Sequence, residues 1–282
     1  MKPAPFNYAK PSSVDEAISL LDGDATLLAG GQSLVATLNM RLSAPDLLVD
    51  INGLEELSGI SVDGGTVRIG ALTRHRELER SEVIAAQAPL IAEAVPLIAH
   101  PAIRNRGTVG GSIAFADPAA ELPACLLALD GAVEIAGSGG RRKVGAGEFF
   151  RGLYDTALED GELITAIEVP AAAGNQRFAV EEVARRHGDY GMAGVMASVT
   201  VNGETVEAAR LVYIAAGGTP MLAEGAGAAL AGNAIDEASI GAAQSALEGD
   251  LDPFDDMNST AATKLHLARV MTERALKRIA GA

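Results

Sequence analysis

Two short glycine turns contain the residue types that allow main-chain nitrogens to hold an anion. They lie about eighty positions apart, at residues 29–33 and 108–112. Glycine has no Cβ to keep a ligand away from the main chain, and N–H groups at the start of a helix carry positive partial charge. Two such turns in one domain can hold the two phosphates of a dinucleotide without a lysine. The candidate binding residues are Ala29, Gly30, Gly31, Gln32 and Ser33 in the first turn, and Thr108, Gly110, Gly111 and Ser112 in the second.

The sequence around the first turn predicts a strand before it and a helix after it. Thr26-Leu27-Leu28 has the pattern of a short apolar strand, and Leu34, Leu38 and the run 40–42 suggest a helix with one apolar face. The second turn follows the polar stretch 104–107, which comes after a helical pattern at 83–98 that two prolines divide. Each turn is therefore expected to follow a strand or a loop, and the first is placed at a helix N-terminus.

The rest of the chain divides into two parts with different patterns. Strands alternating with helices are predicted first, with the strands at residues 47–51, 66–70, 132–135 and 163–169. Pro170 and the small residues after it predict a domain boundary near residue 175. In the second part, β-branched runs flank Asn202-Gly203, which is the strongest short hairpin signal and predicts antiparallel strands. Ser259 is predicted to open a last amphipathic helix.

Composition and charge exclude several classes of protein. The formal net charge of −15, from 22 Lys+Arg against 37 Asp+Glu, argues against nucleic acid or an anionic membrane as a partner. Cys125 is the only cysteine, so this chain forms no internal disulfide and offers no cysteine set for zinc or an iron–sulfur cluster. Residues 1–6 lack a signal-peptide core, and no run of about eighteen apolar residues is present, which predicts a cytoplasmic protein.

The remaining polar residues predict no catalytic group and no metal site. The four histidines are dispersed, and no G-x-S-x-G elbow is present. Asp117, Glu121 and the pair Glu181-Glu182 have acid–base chemistry, but solvated carboxylates are the default interpretation. The string at 225–230 is the closest to a G-x-G-x-x-G loop, yet it lacks the third glycine and follows no strand, so we predict a flexible connector there.

Four segments together resemble a known family. They are residues 28–34, 69–73, 103–112 and 183–190, which include both glycine turns at the family's separation. The chain resembles the FAD-binding medium subunit of molybdenum hydroxylases, the xanthine dehydrogenase and aerobic carbon monoxide dehydrogenase family. The resemblance extends from Phe6 to about Ile279.

The resemblance implies an α+β fold in two domains. Residues 1–175 would form an FAD-binding domain of the vanillyl-alcohol oxidase (PCMH) type in two α/β subdomains. Residues 176–282 would form a smaller domain with a three-stranded antiparallel sheet and helices. By the same resemblance, both turns hold the FAD pyrophosphate, Glu121 stands where relatives carry an aspartate that contacts the cofactor, and Tyr190 stands against the isoalloxazine. Gly191 replaces a commoner alanine and is expected to leave more room at the ring edge.

The resemblance also implies partners. A large subunit would carry the molybdenum cofactor and a small subunit two iron–sulfur clusters, while FAD in this chain delivers electrons to a terminal acceptor, within a dimer of heterotrimers. Two alternatives remain: a stand-alone FAD-dependent oxidase of the vanillyl-alcohol oxidase type, and a cofactor-free interaction subunit. We also expect Gly110→Val to release FAD while leaving the chain folded.

Overall fold

The first region is a small parallel sheet with two helices. A computed structural model describes residues 2–281 of the chain. The elements of this region are β1 (Asn7–Ala9), α1 (Val14–Ser19), β2 (Ala25–Leu28), α2 (Leu34–Met40) and β3 (Leu47–Asp50). The strands are parallel in the order β1-β3-β2. The predicted strand, turn and helix around residues 29–33 are therefore confirmed.

The second region is a five-stranded antiparallel sheet covered by short helices. Its five strands lie in the order Ile60–Asp63, Thr66–Gly70, Leu163–Pro170, Ala132–Gly137 and Gly140–Gly145. The regular elements are β4 (Ile60–Asp63), β5 (Thr66–Gly70), α3 (His75–Arg80), α4 (Glu82–Gln87), α5 (Pro89–Ala94), α6 (Pro101–Arg104), α7 (Val109–Phe115), α8 (Glu121–Ala128), β6 (Ala132–Gly137), β7 (Gly140–Gly145), α9 (Ala146–Phe149), β8 (Phe150–Gly152), β9 (Asp155–Thr156) and β10 (Leu163–Pro170), with 3-10 turns at Glu55–Leu57 and Val95–Leu97. Helix α7, which begins at the second glycine turn, packs against β5 and β10.

The third region is an antiparallel sheet with three helices. Its elements are β11 (Gln176–Ala184), β12 (Gly191–Asn202), β13 (Thr205–Ile214), β14 (Met221–Leu222), α10 (Glu224–Leu230), α11 (Glu237–Asp250) and α12 (Ala261–Ala280). The hairpin predicted at Asn202-Gly203 joins β12 to β13. The three long strands match the expected three-stranded sheet, and the two-residue strand β14 adds a fourth.

Two local predictions in the third region are wrong. The last helix is capped by Thr260 rather than Ser259, because the Thr260 hydroxyl accepts the Thr263 N–H at 3.2 Å. The predicted connector at 225–230 is helix α10, whose first amides are bound by a residue from α11: the Asp250 carboxylate accepts the N–H groups of Gly225 and Ala226 at 3.0 and 2.8 Å. A capping partner so distant in sequence leaves no local signal.

Polar contacts join the third region to the second. Arg278 of α12 pairs with Glu181 of β11 at 3.3 Å and with Glu93 of α5. The same Glu93 carboxylate accepts the main-chain N–H of Val180 at 3.0 Å. Within residues 2–281, no helix combines the length and the apolar character needed to cross a bilayer.

Candidate functional site

One large cleft lies where the three regions meet, and it has a volume of about 1280 Å³. Pockets for drug-sized ligands run from roughly 300 to 1,000 Å³, so this cleft has room for a larger molecule. Every residue predicted from the sequence to bind a cofactor lines it. These residues are Ala29, Gly30, Gly31, Gln32, Ser33, Thr108, Gly110, Gly111, Ser112, Glu121 and Tyr190.

The two glycine turns, remote in sequence, touch in space. A Cβ built on Gly30 would collide with the carbonyl oxygen of Arg106 and lie 3.0 Å from the Cα of Gly107. Gly31 has a φ of +70°, which L side chains rarely adopt. The first turn therefore uses one glycine for close approach to the second turn and the other for its backbone conformation.

The first turn presents main-chain donors that the protein does not use. Among residues 2–281, the amides of Gly30, Gly31, Gln32 and Ser33 donate to no protein acceptor, and the Ser33 hydroxyl makes no capping bond. Buried or half-buried amides require an acceptor from water or a ligand. Four consecutive donors beside a cleft are suited to the oxygens of a phosphate group.

The second turn is bonded differently. The amides of Val109 and Gly110 donate to the carbonyls of Thr73 at 3.0 Å and Ala71 at 2.7 Å. The next two amides donate to the Thr108 hydroxyl, from Gly111 at 3.2 Å, and to the Thr108 carbonyl, from Ser112 at 3.0 Å. In the part of the chain that the structure describes, the Thr108 amide and the Ser112 hydroxyl make no hydrogen bond to protein. These two groups are what the second turn offers a ligand.

Packing explains the glycine at position 110. A Cβ there would lie 2.6 Å from the Cβ of Ala71 and 3.0 Å from its carbonyl oxygen. Gly110 therefore allows α7 to pack closely against the segment after β5. The expectation that Gly110→Val leaves the chain folded is wrong, because valine would strike the protein's own main chain before it reached a ligand.

His75 supports the second turn, and the sequence analysis missed it. Its side chain is 5% exposed, and Nε2 donates to the carbonyl oxygen of Thr108 at 3.1 Å. Its main-chain N–H donates to the Gly107 carbonyl at 3.0 Å. Burial is the main cause that lowers the pKa of His75 to about 4, so the ring is neutral near pH 7. Its only sequence signal was its place two residues after the segment 69–73.

Carboxyl groups line one end of the cleft. Asp117 and Glu121 both border it, and Glu121 is 6% exposed, so the interpretation of Glu121 as a solvated carboxylate is wrong. Burial, followed by the negative charges of Glu182 and Asp117, raises the pKa of Glu121 to about 8. Burial also raises the pKa of Asp117. Tyr190 is 60% exposed at this end, which leaves its ring available to a ligand.

The space beside Gly191 is filled by the chain itself. A Cβ on Gly191 would lie 2.8 Å from Cδ1 of Ile214 and 3.1 Å from the carboxyl carbon of Glu182. The expectation that Gly191 leaves room for a ring edge is therefore wrong. Glycine at this position makes room for the Glu182 side chain.

A second, smaller cleft of about 680 Å³ lies against the first turn and supplies positive charge. It is lined by Arg74 and Arg106 as well as by residues of the turn. Arg74 is held in place by a hydrogen bond from Nη2 to the Asn52 amide oxygen at 2.7 Å and by another to the Arg106 carbonyl. The guanidinium groups favour an anion on the adjoining amides.

Comparison with known proteins assigns the family. Residues 4–172 match the family model described as the FAD binding domain in molybdopterin dehydrogenase. Residues 178–279 match the model described as the CO dehydrogenase flavoprotein C-terminal domain. The chain belongs to this family. The resemblance inferred from the glycine motifs is confirmed, and the protein is a medium, FAD-binding subunit of the molybdenum hydroxylase family and an oxidoreductase subunit.

Relatives of the medium subunit match it over nearly its whole length. The chain is 41% identical to the 6-hydroxypseudooxynicotine dehydrogenase complex subunit alpha of Paenarthrobacter nicotinovorans, covering 98% of this chain and 95% of the relative. It is 39% identical to the carbon monoxide dehydrogenase medium chain of Hydrogenophaga pseudoflava, covering 98% and 97%.

Solved structures confirm the fold of the medium subunit. Carbon monoxide dehydrogenase from Hydrogenophaga pseudoflava superposes with a TM-score of 0.97 at 40% identity, covering 99% of this chain and 98% of the other. Quinoline 2-oxidoreductase from Pseudomonas putida 86 superposes with a TM-score of 0.95 at 36% identity, covering 100% and 99%.

Proposed function

We propose that this subunit carries FAD in the large cleft and passes electrons from iron–sulfur clusters of a partner subunit to a terminal acceptor. The observation that carries the proposal is the row of unused amides in the first turn, placed directly against the second turn. A diphosphate is the part of FAD that needs such donors. Family membership supplies the identity of the dinucleotide.

Different residues of the chain would bind different parts of FAD. The amides of Gly30 to Ser33 would donate hydrogen bonds to the diphosphate oxygens, with the Thr108 amide and the Ser112 hydroxyl facing the diphosphate from the second turn. The glycines leave the main chain accessible, and Arg74 and Arg106 add positive charge behind the first turn. FAD, when bound, supplies the redox chemistry, and the protein supplies binding, orientation and electrostatics. Glu121 and Tyr190 would contact the flavin portion at the opposite end of the cleft.

We further propose that residues 1–175 and 176–282 are the two domains and that both border the flavin. In support, the last sheet begins at Gln176, and residues 188–190 line the cleft together with the glycine turns. The bound cofactor would thus contact both domains.

The proposed partners are a large subunit with the molybdenum cofactor and a small subunit with two iron–sulfur clusters, assembled as a dimer of heterotrimers. The single cysteine supports this division, because one buried thiol cannot ligate such a cluster. Relatives named as a medium chain and as a subunit of a complex support it as well.

The test is purification of the native complex, followed by its visible spectrum and the masses of the chains that copurify. We expect flavin and iron–sulfur absorption with two further subunits. Flavin on a lone chain that turns over an organic substrate would favour the stand-alone oxidase, and absence of flavin would overturn the proposal.

A matched pair of variants tests the placement of FAD. Gly30→Ala should abolish FAD retention, because its Cβ would push the two turns apart. Gly241→Ala is the control, since a Cβ there meets open space on α11. Full FAD retention by Gly30→Ala would contradict the placement of the diphosphate at the turns.

A further inference from the structure

Two carboxyl groups from different regions, one of them in the wall of the cleft, have no basic side chain as a partner among residues 2–281, and the charge of one raises the pKa of the other. Glu121 is the first residue of α8, and Glu182 lies in β11. Glu121 is 6% exposed and borders the cleft, and its carboxylate forms no hydrogen bond to another residue among residues 2–281. The Oε2 atom of Glu182 is buried and has no hydrogen-bond partner in the same range. A buried acceptor without a partner is costly unless it carries a proton or meets a ligand.

The alternation of side chains along β11 explains why only one of two adjacent glutamates faces inward. Val180 packs in the core of the second region, and Glu182 shares its face of the strand. Glu181 points to the other face and pairs with Arg278 of α12 at 3.3 Å. The two neighbouring carboxylates can therefore be compared directly, because the negative charge of Glu181 is paired with a guanidinium and that of Glu182 is not.

Gly191 creates the space that Glu182 occupies. The carboxyl carbon of Glu182 lies 3.1 Å from where a Cβ of Gly191 would be. An alanine at 191 would have to displace the carboxyl group and the tip of Ile214. The inward position of Glu182 therefore depends on this glycine.

The groups around the pair are acidic or weakly acidic. Asp117 faces it from the segment before α8, Cys125 lies one turn further along α8, and Tyr190 borders the cleft. The acid Glu93 on α5 is already paired with Arg278. In the described chain, no lysine or arginine nitrogen lies within 4.0 Å of the carboxylate oxygens of Glu121 or Glu182, whereas Glu93 and Glu181 both have such a partner.

We propose that the two buried carboxyl groups of Glu121 and Glu182, called the pair below, together take up one proton from solvent when FAD in the adjoining cleft is reduced. The pair has the proton affinity that this role requires. Burial raises the pKa of Glu182 to about 7, close to the value of about 8 for Glu121. Two such groups hold a proton near neutral pH and exchange it there. The inference rests on the proposed function, because that function places the flavin in the cleft.

Electrons and protons balance in the proposed reduction step. Two electrons and one proton added to the isoalloxazine leave one added negative charge on it. That charge repels a nearby carboxylate and raises its proton affinity, so a second proton from solvent binds to the pair. Two electrons from the partner clusters, or from a chemical reductant, are thus matched by two protons: one forms an N–H bond and the other an O–H bond.

The test measures how many protons accompany reduction of the FAD-loaded full chain. The slope of the flavin midpoint potential against pH, from reductive titration with reference dyes between pH 6.5 and 9, gives the protons bound per two electrons. Wild type should bind up to one proton more than Glu121→Gln or Glu182→Gln. The control Glu181→Gln should match wild type, because its carboxylate is paired elsewhere. Gly191→Ala should lower the proton number while all the carboxyl groups remain.

The outcomes separate this inference from the function on which it rests. Wild-type chain that retains no FAD overturns the proposed function and the inference with it. Bound flavin with the same proton number in wild type, Glu121→Gln and Glu182→Gln overturns the pair alone. If Glu121→Gln fails to fold, the comparison of Glu182→Gln and Gly191→Ala with Glu181→Gln decides, since equal slopes in those three overturn the pair.

Discussion

The two glycine turns are similar in sequence but are completed in different ways. The amides of the second turn, at Val109 to Ser112, already donate to carbonyls and to the Thr108 hydroxyl. Those of the first turn, at Gly30 to Ser33, have no protein acceptor among the described residues. The second turn is thus stabilised by the fold, whereas the amides of the first turn can donate to a ligand. A glycine motif alone does not distinguish a scaffold from a binding surface.

Among substitutions in the second turn, that of Gly110 should give the largest effect, and the effect should be on stability. Alanine there would place Cβ 2.6 Å from the Ala71 Cβ. We expect the free energy of unfolding of the FAD-free chain to fall by about 3 kcal/mol, since overpacking against fixed main chain has that cost. Urea denaturation measures it, with Gly241→Ala as the control. An unchanged denaturation midpoint would show that the fold does not hold the second turn.

Amide hydrogen exchange should separate the turns directly. With FAD at about a hundred times its Kd, we expect exchange at Gly30, Gly31 and Ser33 to slow by about a hundredfold, or about 2.7 kcal/mol. Exchange at Gly110 and Gly111 should be slow with and without FAD, because those amides are already bonded. Mass spectrometry or NMR measures the exchange rates. If FAD slowed exchange equally at both turns, the proposed difference between the turns in ligand binding would be wrong.

Acid should weaken the second turn through His75. The pKa of His75 is lowered to about 4 in the fold, mainly by burial, so below pH 6.5 the unfolded chain binds a proton that the folded chain does not. Between pH 6.5 and pH 5, this difference should cost about 2 kcal/mol of stability as the pH falls.

The measurement is denaturation of the FAD-free chain at both pH values. His75→Gln should lose this part of the acid dependence, and the exposed His266→Gln should keep it. Comparing wild type with His75→Gln cancels the opposite contribution of Glu121, whose raised pKa makes stability increase as pH falls. Parallel pH profiles for wild type and His75→Gln would contradict the role assigned to the ring.

The smallest expected effect comes from removing one hydroxyl from each turn. Thr108→Val deletes the acceptor of the Gly111 N–H and should lower stability by about 1 kcal/mol. Ser33→Ala removes a hydroxyl that caps nothing, so it should leave the FAD-free chain unchanged. Its effect should be on FAD affinity, by about 1 kcal/mol. Denaturation and FAD titration of both variants measure these effects. A stability loss in Ser33→Ala with an affinity loss in Thr108→Val would show that the comparison of the two turns is wrong.

Local features of the fold could be predicted from sequence because local physics determines them. The hairpin at Asn202-Gly203 and the strand, turn and helix around Gly30 depend on residues within a few positions of one another. Recognition of the family's motifs then placed the candidate site, and the structure brings all those residues to one cleft.

The features that sequence analysis missed depend on contacts across the fold. Glu121 opens a helix covered by β12 and β13. The apolar run at 122–129 is typical of a buried helix, but it does not show that the carboxyl group at its first position is buried as well. His75 derives its role from a carbonyl 33 positions away, at Thr108. The first amides of helix α10 donate to the carboxylate of Asp250, which is distant in sequence. Glycine spacing likewise cannot show whether neighbouring amides are bonded, which is the property that separates the two turns.

The ion pair between Arg278 and Glu93 can form only after nearly the whole chain has been synthesised. The two residues are 185 positions apart. At ribosomal rates of 5–20 residues per second, about 10 to 40 seconds separate their appearance. Until α12 is made at the end of that interval, strands β11 and β12 lack the helix that later packs on them. A nascent chain in this state exposes apolar surface, so chaperone dependence during translation should be concentrated before α12 emerges.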